Sequence, residues 1–334
     1  MMPWPLDGTG GAYLPLYLVT LLLHAVLVGY VVAGTAVTLH GAARGRSSPL
    51  TAAARDGLPL ALGLAITAGV APLLFVQLLY QHRFYTANLL VGPRHLAIVP
   101  ALIVGFYALY LGKADWPGRR LRTSALALAL LAFAFVAWSW TDVHLLMQRD
   151  PAWAELYQRA SWWSGDERVW VRWAGWLAAT VPSFAAVVSW QLDDSPAHAA
   201  ARRRLGLAAA VAAGVALVLA WRVYVGQTDL AAAGIERARP YLVVLVGASA
   251  VEIAAWLWCA ARPDQRAAHT LATAATVAAL AGGVVVREAA RLHQLEPTRA
   301  AVTDAGGAWA FVVAAVVLVL ALWHISRVIR NGRA

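Results

Sequence analysis

Nine times along this chain an apolar stretch of about 20 residues runs between short polar or basic loops. That is the length needed to cross a hydrocarbon core about 30 Å thick. A water-soluble fold carrying so many such stretches would expose large apolar patches. In a bilayer the backbone must satisfy its own hydrogen bonds, so each stretch becomes a helix. The predicted fold is all-α, a polytopic transmembrane bundle with spans over 14–40, 57–80, 96–112, 122–146, 169–190, 205–225, 240–261, 269–289 and 306–328. The third span is short and follows Pro93, so a re-entrant segment there would leave eight. No internal repeat or low-complexity linker divides the chain, and residues 1–334 read as one bundle.

Composition narrows the function classes. The chain is 61% hydrophobic and 13% charged, against roughly a quarter charged in soluble domains. Its net charge of +10 raises nucleic acid as a partner. The basic residues sit in short loops, with no basic folded face, and that excludes it. Cys259 is the single cysteine, so neither an intrachain disulfide nor a cysteine-based metal site is encoded. Residues 1–13 hold no Lys or Arg. They lack the basic region of a cleaved signal peptide, and the first span is expected to be retained.

Alternate loops carry the arginines. Arg44, Arg46 and Arg55 lie in one, Lys113, Arg119, Arg120 and Arg122 in the next, then Arg202, Arg203 and Arg204, then Arg262 and Arg266. The tail adds Arg327, Arg330 and Arg333. The acids on that side are Asp56, Asp115, Asp193, Asp194 and Asp264. The positive-inside rule makes it cytoplasmic, with the N-terminus outside and the C-terminus inside, as an odd number of spans requires.

Titratable groups inside a span are costly and mark functional sites. His24 is placed about 15 Å into the first span, and Glu252 at a similar depth in the seventh. Gln77 and His82 fall at the outer end of the second span, Asp142 and His144 at that of the fourth. Arg222, Arg287 and Glu288 lie near the outer ends of the sixth and eighth, with His95 and His293 just beyond. His40, His269 and His324 lie near the cytoplasmic surface. Polar chemistry therefore gathers in the expected outer half. Plainer roles exist for each group. His82, Arg83, His95 and His293 suit an interface. Asp142 suits a cap or an ion pair, and Arg222 and Arg287 suit partners for an acid. The tryptophans of 153–176 suit an aromatic belt with a short in-plane helix near 151–160. His24 shares a stripe with Thr20, Val31, Gly34, Thr35 and Thr38, which marks a face packed against other helices. Ser249 and Trp256 share the face of Glu252.

Several chemistries fit. A b-type haem takes imidazole ligands from two helices, with small residues beside the porphyrin. His24, His82 and His144 are the candidate iron ligands, Gly29 and Gly34 follow His24, and His82 with His144 forms a pair at similar depth. A quinone site needs an apolar slot, hydrogen-bonding side chains and a carboxylate for the released protons. Gln77, Tyr80, Gln81 and Phe84 fall on one helical face, beyond a bend expected at Pro72. Glu252, Asp142 and Glu288 form the expected proton exit, with Glu252, His24 and Asp142 as its working groups. A proton-coupled transporter also suits intramembrane Glu and Arg, but the chain lacks inverted repeats. A non-catalytic scaffold subunit suits the Ala-rich spans 205–225 and 269–289.

The stretches GVAPLLFVQLLYQHRFYT and WSWTDVHLLMQRDPAW resemble bacterial polytopic electron-transfer subunits from respiratory gene clusters, associated with multihaem cytochromes. The resemblance covers roughly 35 residues and no ligand signature. It implies redox work at the outer face of a bacterial inner membrane. The expected contacts are lipid and either other subunits of a respiratory complex or a periplasmic cytochrome. The expected cofactors are quinone, haem b or both.

Overall fold

A computed structural model describes residues 10–192, 195–226 and 229–295, with isolated positions between 312 and 320. Every described element is a helix. Eight are long and apolar enough to cross a membrane. They are α1 (Gly10–Arg44), α2 (Pro49–Leu79), α4 (Gly92–Lys113), α5 (Arg119–Leu146), α7 (Arg168–Val188), α8 (Pro196–Val225), α10 (Arg239–Ala261) and α11 (Arg266–Leu295). Three short helices join them: α3 (Gln81–Leu90), α6 (Trp153–Arg159) and α9 (Asp229–Arg237). The ninth expected span, 306–328, lies outside the described residues, as do Asp193, Asp194, His324 and the tail arginines.

Local chemistry sets the boundaries. Ser48 caps α2 in a reciprocal pair with Thr51, and Pro49 opens the helix. Pro93 likewise sits in the first turn of α4. A proline there starts a helix, so the third span begins at Gly92 instead of 96. At 22 residues it reaches about 33 Å, long enough to cross. The in-plane helix expected near 151–160 is α6, preceded by a single 3-10 turn over Asp150–Ala152.

The second span departs from expectation. Pro72 is buried within α2 and the helix continues past it. The interruption comes at Tyr80, whose φ of −135° and ψ of 37° are not helical. Backbone bonds from Tyr80 to Val76 and from Phe84 to Tyr80 still bracket it, at 3.0 and 2.8 Å. The single face expected for Gln77, Tyr80, Gln81 and Phe84 is thereby broken. Tyr80 and Phe84 are buried, Gln77 is half-buried and Gln81 is exposed.

Helix α1 packs on α2, α5, α7 and α11, while α10 packs on α8 and α11. One core cluster, around Tyr30, Leu58, Leu109, Phe184 and Trp256, fills most of the bundle. A second, around Tyr13, Tyr17, Phe75, Tyr80, Phe84 and Met147, fills the end where the tryptophans gather. Glycine sets the closest approach of α8 to α10. A Cβ on Gly206 would lie 2.8 Å from the Trp256 carbonyl oxygen and 3.0 Å from the Ala260 nitrogen, both backbone. Large apolar side chains such as Leu60, Leu96, Tyr107 and Val211 face outward, as contact with lipid requires.

Candidate functional site

The C-terminal half of α11 reads VVVREAARLHQL. Glu288 and Arg291 are three apart and share a face, and both are buried. Arg291 donates from Nη2 to Glu288 Oε2 at 2.6 Å and from Nε to Oε1 at 3.3 Å. The Tyr80 hydroxyl donates to Oε1 at 2.5 Å. The interruption of α2 thus falls at the residue that reaches the carboxylate. Tyr17, seven residues into α1, accepts from Arg291 at 2.9 Å and from Arg287 at 2.8 Å. The Arg291 guanidinium also lies over the Tyr80 ring, 4.4 Å from its centre, a cation–π contact strengthened by burial. Four chain segments meet in this network: α1, the α2–α3 junction, α5 and α11.

The α5 contribution is His144, whose Nδ1 is 3.1 Å from Arg291 Nη1. Arginine only donates, so Nδ1 accepts. A neutral His144 then carries its proton on Nε2 and presents a donor there. In that tautomer the Nδ1 lone pair is taken by Arg291 and Nε2 carries the proton. His82 is exposed, its ring 6.0 Å from that of Trp153. His24 is set the opposite way. Its Nδ1 meets the Ala65 carbonyl of α2 at 2.9 Å, which leaves the lone pair on Nε2, the arrangement of a ligating histidine. Gly69 makes room for its ring, since a Cβ there would lie 2.7 Å from His24 Cε1. Among the described residues no three His, Cys, Asp or Glu group to hold a metal ion. Of the pair expected for haem b, His82 thus stands exposed beside Trp153 and His144 stands buried beside Arg291.

A second node holds Asp142. Its carboxylate and the Arg94 guanidinium pair at 2.6 Å, and both side chains are fully buried. Arg94 also lies 4.9 Å from the centre of the Trp138 ring. Asp142 accepts from the Ser164 backbone nitrogen at 3.1 Å, and from the Ser164 hydroxyl. Asp142, expected as a working carboxylate, joins α4, α5 and the loop before α7 through these bonds. In that loop Asp166 holds Arg168 at 2.7 Å and Arg149 at 3.4 Å. Burial pushes Asp166 up, but the hydrogen bonds and charge of Arg168 outweigh it and hold the carboxyl below its ordinary value.

Arg83 grips Asp150 in a two-bond fork, 2.8 Å on each side. Those bonds hold the Asp150 carboxyl below its ordinary value. A depressed carboxylate stabilises the fold above its unfolded pKa of about 4 and loses that contribution as pH falls below it. Asp150→Asn is therefore expected to lower the unfolding temperature at pH 7, with the gap to the parent closing as pH falls through the depressed carboxyl value. A gap that stays constant with pH would show that the fork does not act through ionised Asp150.

Glu252 and His24 do not join either node. Glu252 is buried and within hydrogen-bonding reach of Thr276 on α11. Thr276 accepts in turn from the Trp256 indole at 3.1 Å. Twelve residues of α11, about 18 Å, separate Thr276 from Glu288. His24 is seven residues from Tyr17, or about 10 Å along α1. Gln77 is half-buried, three residues before the break at Tyr80. Sequence reasoning passed over Tyr17, Arg94 and Arg291. The spacing of Glu288 and Arg291 was a readable signal, whereas nothing local marks Tyr17 or Arg94. Compared with known proteins, the chain matches no family model and no curated sequence.

Proposed function

We propose that the chain is a membrane subunit of a bacterial respiratory electron-transfer complex that handles a quinone ring at the tryptophan-rich end, on the periplasmic side of the inner membrane. One observation carries this reading: the buried Tyr80–Glu288–Arg291 network with Tyr17 and His144. Oxidation of a quinol releases two electrons and two protons. The electrons need an acceptor, for which the partner class is a cytochrome. The protons need a route, and Glu288 bonded to Tyr80 is a carboxylate with a phenol as its outlet. The His144 Nε2–H supplies a donor for a ring oxygen. The aromatic cluster of Tyr13, Phe75 and Phe84 supplies apolar walls beside it. The orientation follows the loop arginines, and the respiratory setting follows the resemblance of residues 69–86 and 138–153.

Tyr80→Phe tests the proposal, because it removes one hydroxyl and keeps the ring under Arg291. Quinol-dependent reduction of a cytochrome acceptor in reconstituted membranes is expected to fall at least about tenfold, the scale of a lost proton-transfer group. Equal rates in parent and variant, with the fold intact, would remove quinol chemistry from this network.

A further inference from the structure

At the end of the bundle away from the tryptophans, one loop joins α1 to α2 and another joins α4 to α5. Together with their flanking turns these loops hold seven basic residues against two acids, Asp56 and Asp115. Asp193 and Asp194 lie outside the described residues, and pairing both here would still leave three positive charges in excess. Arg55 already engages both local acids, Asp115 at 3.2 Å and Asp56 at 3.6 Å, and its reach to Asp115 ties the two loops together. Arg44, Arg46, Arg119 and Arg120 are exposed, and no carboxylate pairs with them among the described residues. Packing nonetheless crowds them. Gly45 turns the chain with a φ of 62°, and Arg119 Nη1 lies 3.0 Å from where a Cβ on Gly45 would stand. The Arg119 guanidinium therefore rests on the turn that carries Arg44 and Arg46 on either side. Arg119 and Arg120 also open α5, where the helix dipole is already positive. Arg122 donates to the carbonyls of Ala114 and Asp115 at 3.0 and 3.3 Å. That pins the short loop bearing Trp116, whose side chain is 77% exposed.

An indole at the end of a spanning helix lies at headgroup level, where its ring is apolar on one side and wet on the other. Arginines at that level attract anionic lipid, and the guanidinium fork fits the oxygens of a phosphate group. Crowded guanidiniums supply the charge, and the exposed indole beside them selects a lipid surface over a free ion. We infer that the Gly45 turn and the Trp116 loop form a docking surface for an anionic phospholipid, with Arg46 and Arg119 on its headgroup phosphate and Trp116 among its glycerol and ester groups. The surface stands apart from the Tyr80–Glu288 network and does not require that a quinone binds there.

The full chain, stripped of co-purified lipid in a neutral detergent, would be titrated with phosphatidylglycerol or phosphatidylcholine, and bound lipid counted by native mass spectrometry. Phosphatidylglycerol is expected to bind at least about tenfold more tightly, the scale of two arginines near an anionic headgroup. That preference should shrink as salt rises. Combining Arg46→Gln with Arg119→Gln is expected to reduce it by about tenfold, and combining Arg46→Lys with Arg119→Lys should keep part of it, since the charge stays and the fork is lost. Trp116→Ala should weaken binding of phosphatidylglycerol as well. All three side chains are exposed, so unfolding temperatures in phosphatidylcholine are expected to match the parent. Arg203→Gln with Arg204→Gln removes the same charge from the exposed start of α8 and should leave the preference within about twofold. No preference for phosphatidylglycerol in the parent, or equal losses in the two Gln pairs, would overturn the surface, because net charge alone would then account for the binding. Displacement of phosphatidylglycerol by polyglutamate at matched ionic strength would also overturn it, in favour of an acidic protein partner.

Discussion

Glu288→Gln is expected to destabilise the bundle by about 3–5 kcal/mol, the cost of breaking a buried ion pair by removing one partner. The arithmetic is local. Glu288 takes two bonds from Arg291 and one from Tyr80. An amide in its place keeps one acceptor oxygen but cancels the carboxylate that pairs with Arg291 among the described residues. The guanidinium then sits between Tyr17, Tyr80 and His144 with Arg287 nearby and no carboxylate paired with it among the described residues. Arg291→Met alone inverts the fault and leaves Glu288 unpaired. Combining Glu288→Gln with Arg291→Met removes both charges, and it should cost less than the sum of the singles, because an apolar replacement of a whole buried pair is often neutral. Reversible unfolding in mixed micelles would measure the cycle. Additive losses, or a Glu288→Gln effect below about 1 kcal/mol, would mean that water screens the pair.

The contrast between what the chain announced and what packing added is clearest along α2 and α5. The spans were legible because lipid imposes one rule on every residue of a crossing helix, and apolar length satisfies it. Even the doubtful third span was decided by a local signal, Pro93 in the first turn. The polar end was legible for the same reason: Asp142, His144, Arg287 and Glu288 stand out against apolar neighbours. Their partners were not. Arg94 is 48 residues from Asp142, and Tyr17 is 274 from Arg291. Which side chains meet depends on how each helix is rotated about its axis. At Tyr80 one non-helical residue resets that rotation and sends Gln81 outward while Phe84 turns in. Glu252 and His24 illustrate the converse. Equal depth suggested one shared core, but each faces its own neighbouring helix, Glu252 within reach of Thr276 and His24 bonded to Ala65.

Arg94→Met is expected to cost a similar 3–5 kcal/mol, roughly, and its damage should spread differently. Both side chains of the Arg94–Asp142 pair are sealed from solvent. Methionine fills much of the space of the arginine stem and still packs on Trp138, so cavity formation is a small part of the loss. What remains among the described residues is an Asp142 carboxylate held by Ser164. Without the Arg94 charge beside it, Asp142 is a poorer anchor for the Ser164 backbone nitrogen and hydroxyl. The loop between α6 and α7 should therefore loosen before the bundle itself opens. Hydrogen exchange would read this directly, as faster exchange at Ser164 and at Asp166, whose amide bonds the Ser164 hydroxyl, while the middle of α5 stays protected. Asp142→Asn in the Arg94→Met background is expected to recover part of the stability, because it replaces a stranded carboxylate with a neutral group of the same shape. If exchange instead rises equally along α4, α5 and the loop, then the ion pair holds the helices together, and Ser164 merely follows them.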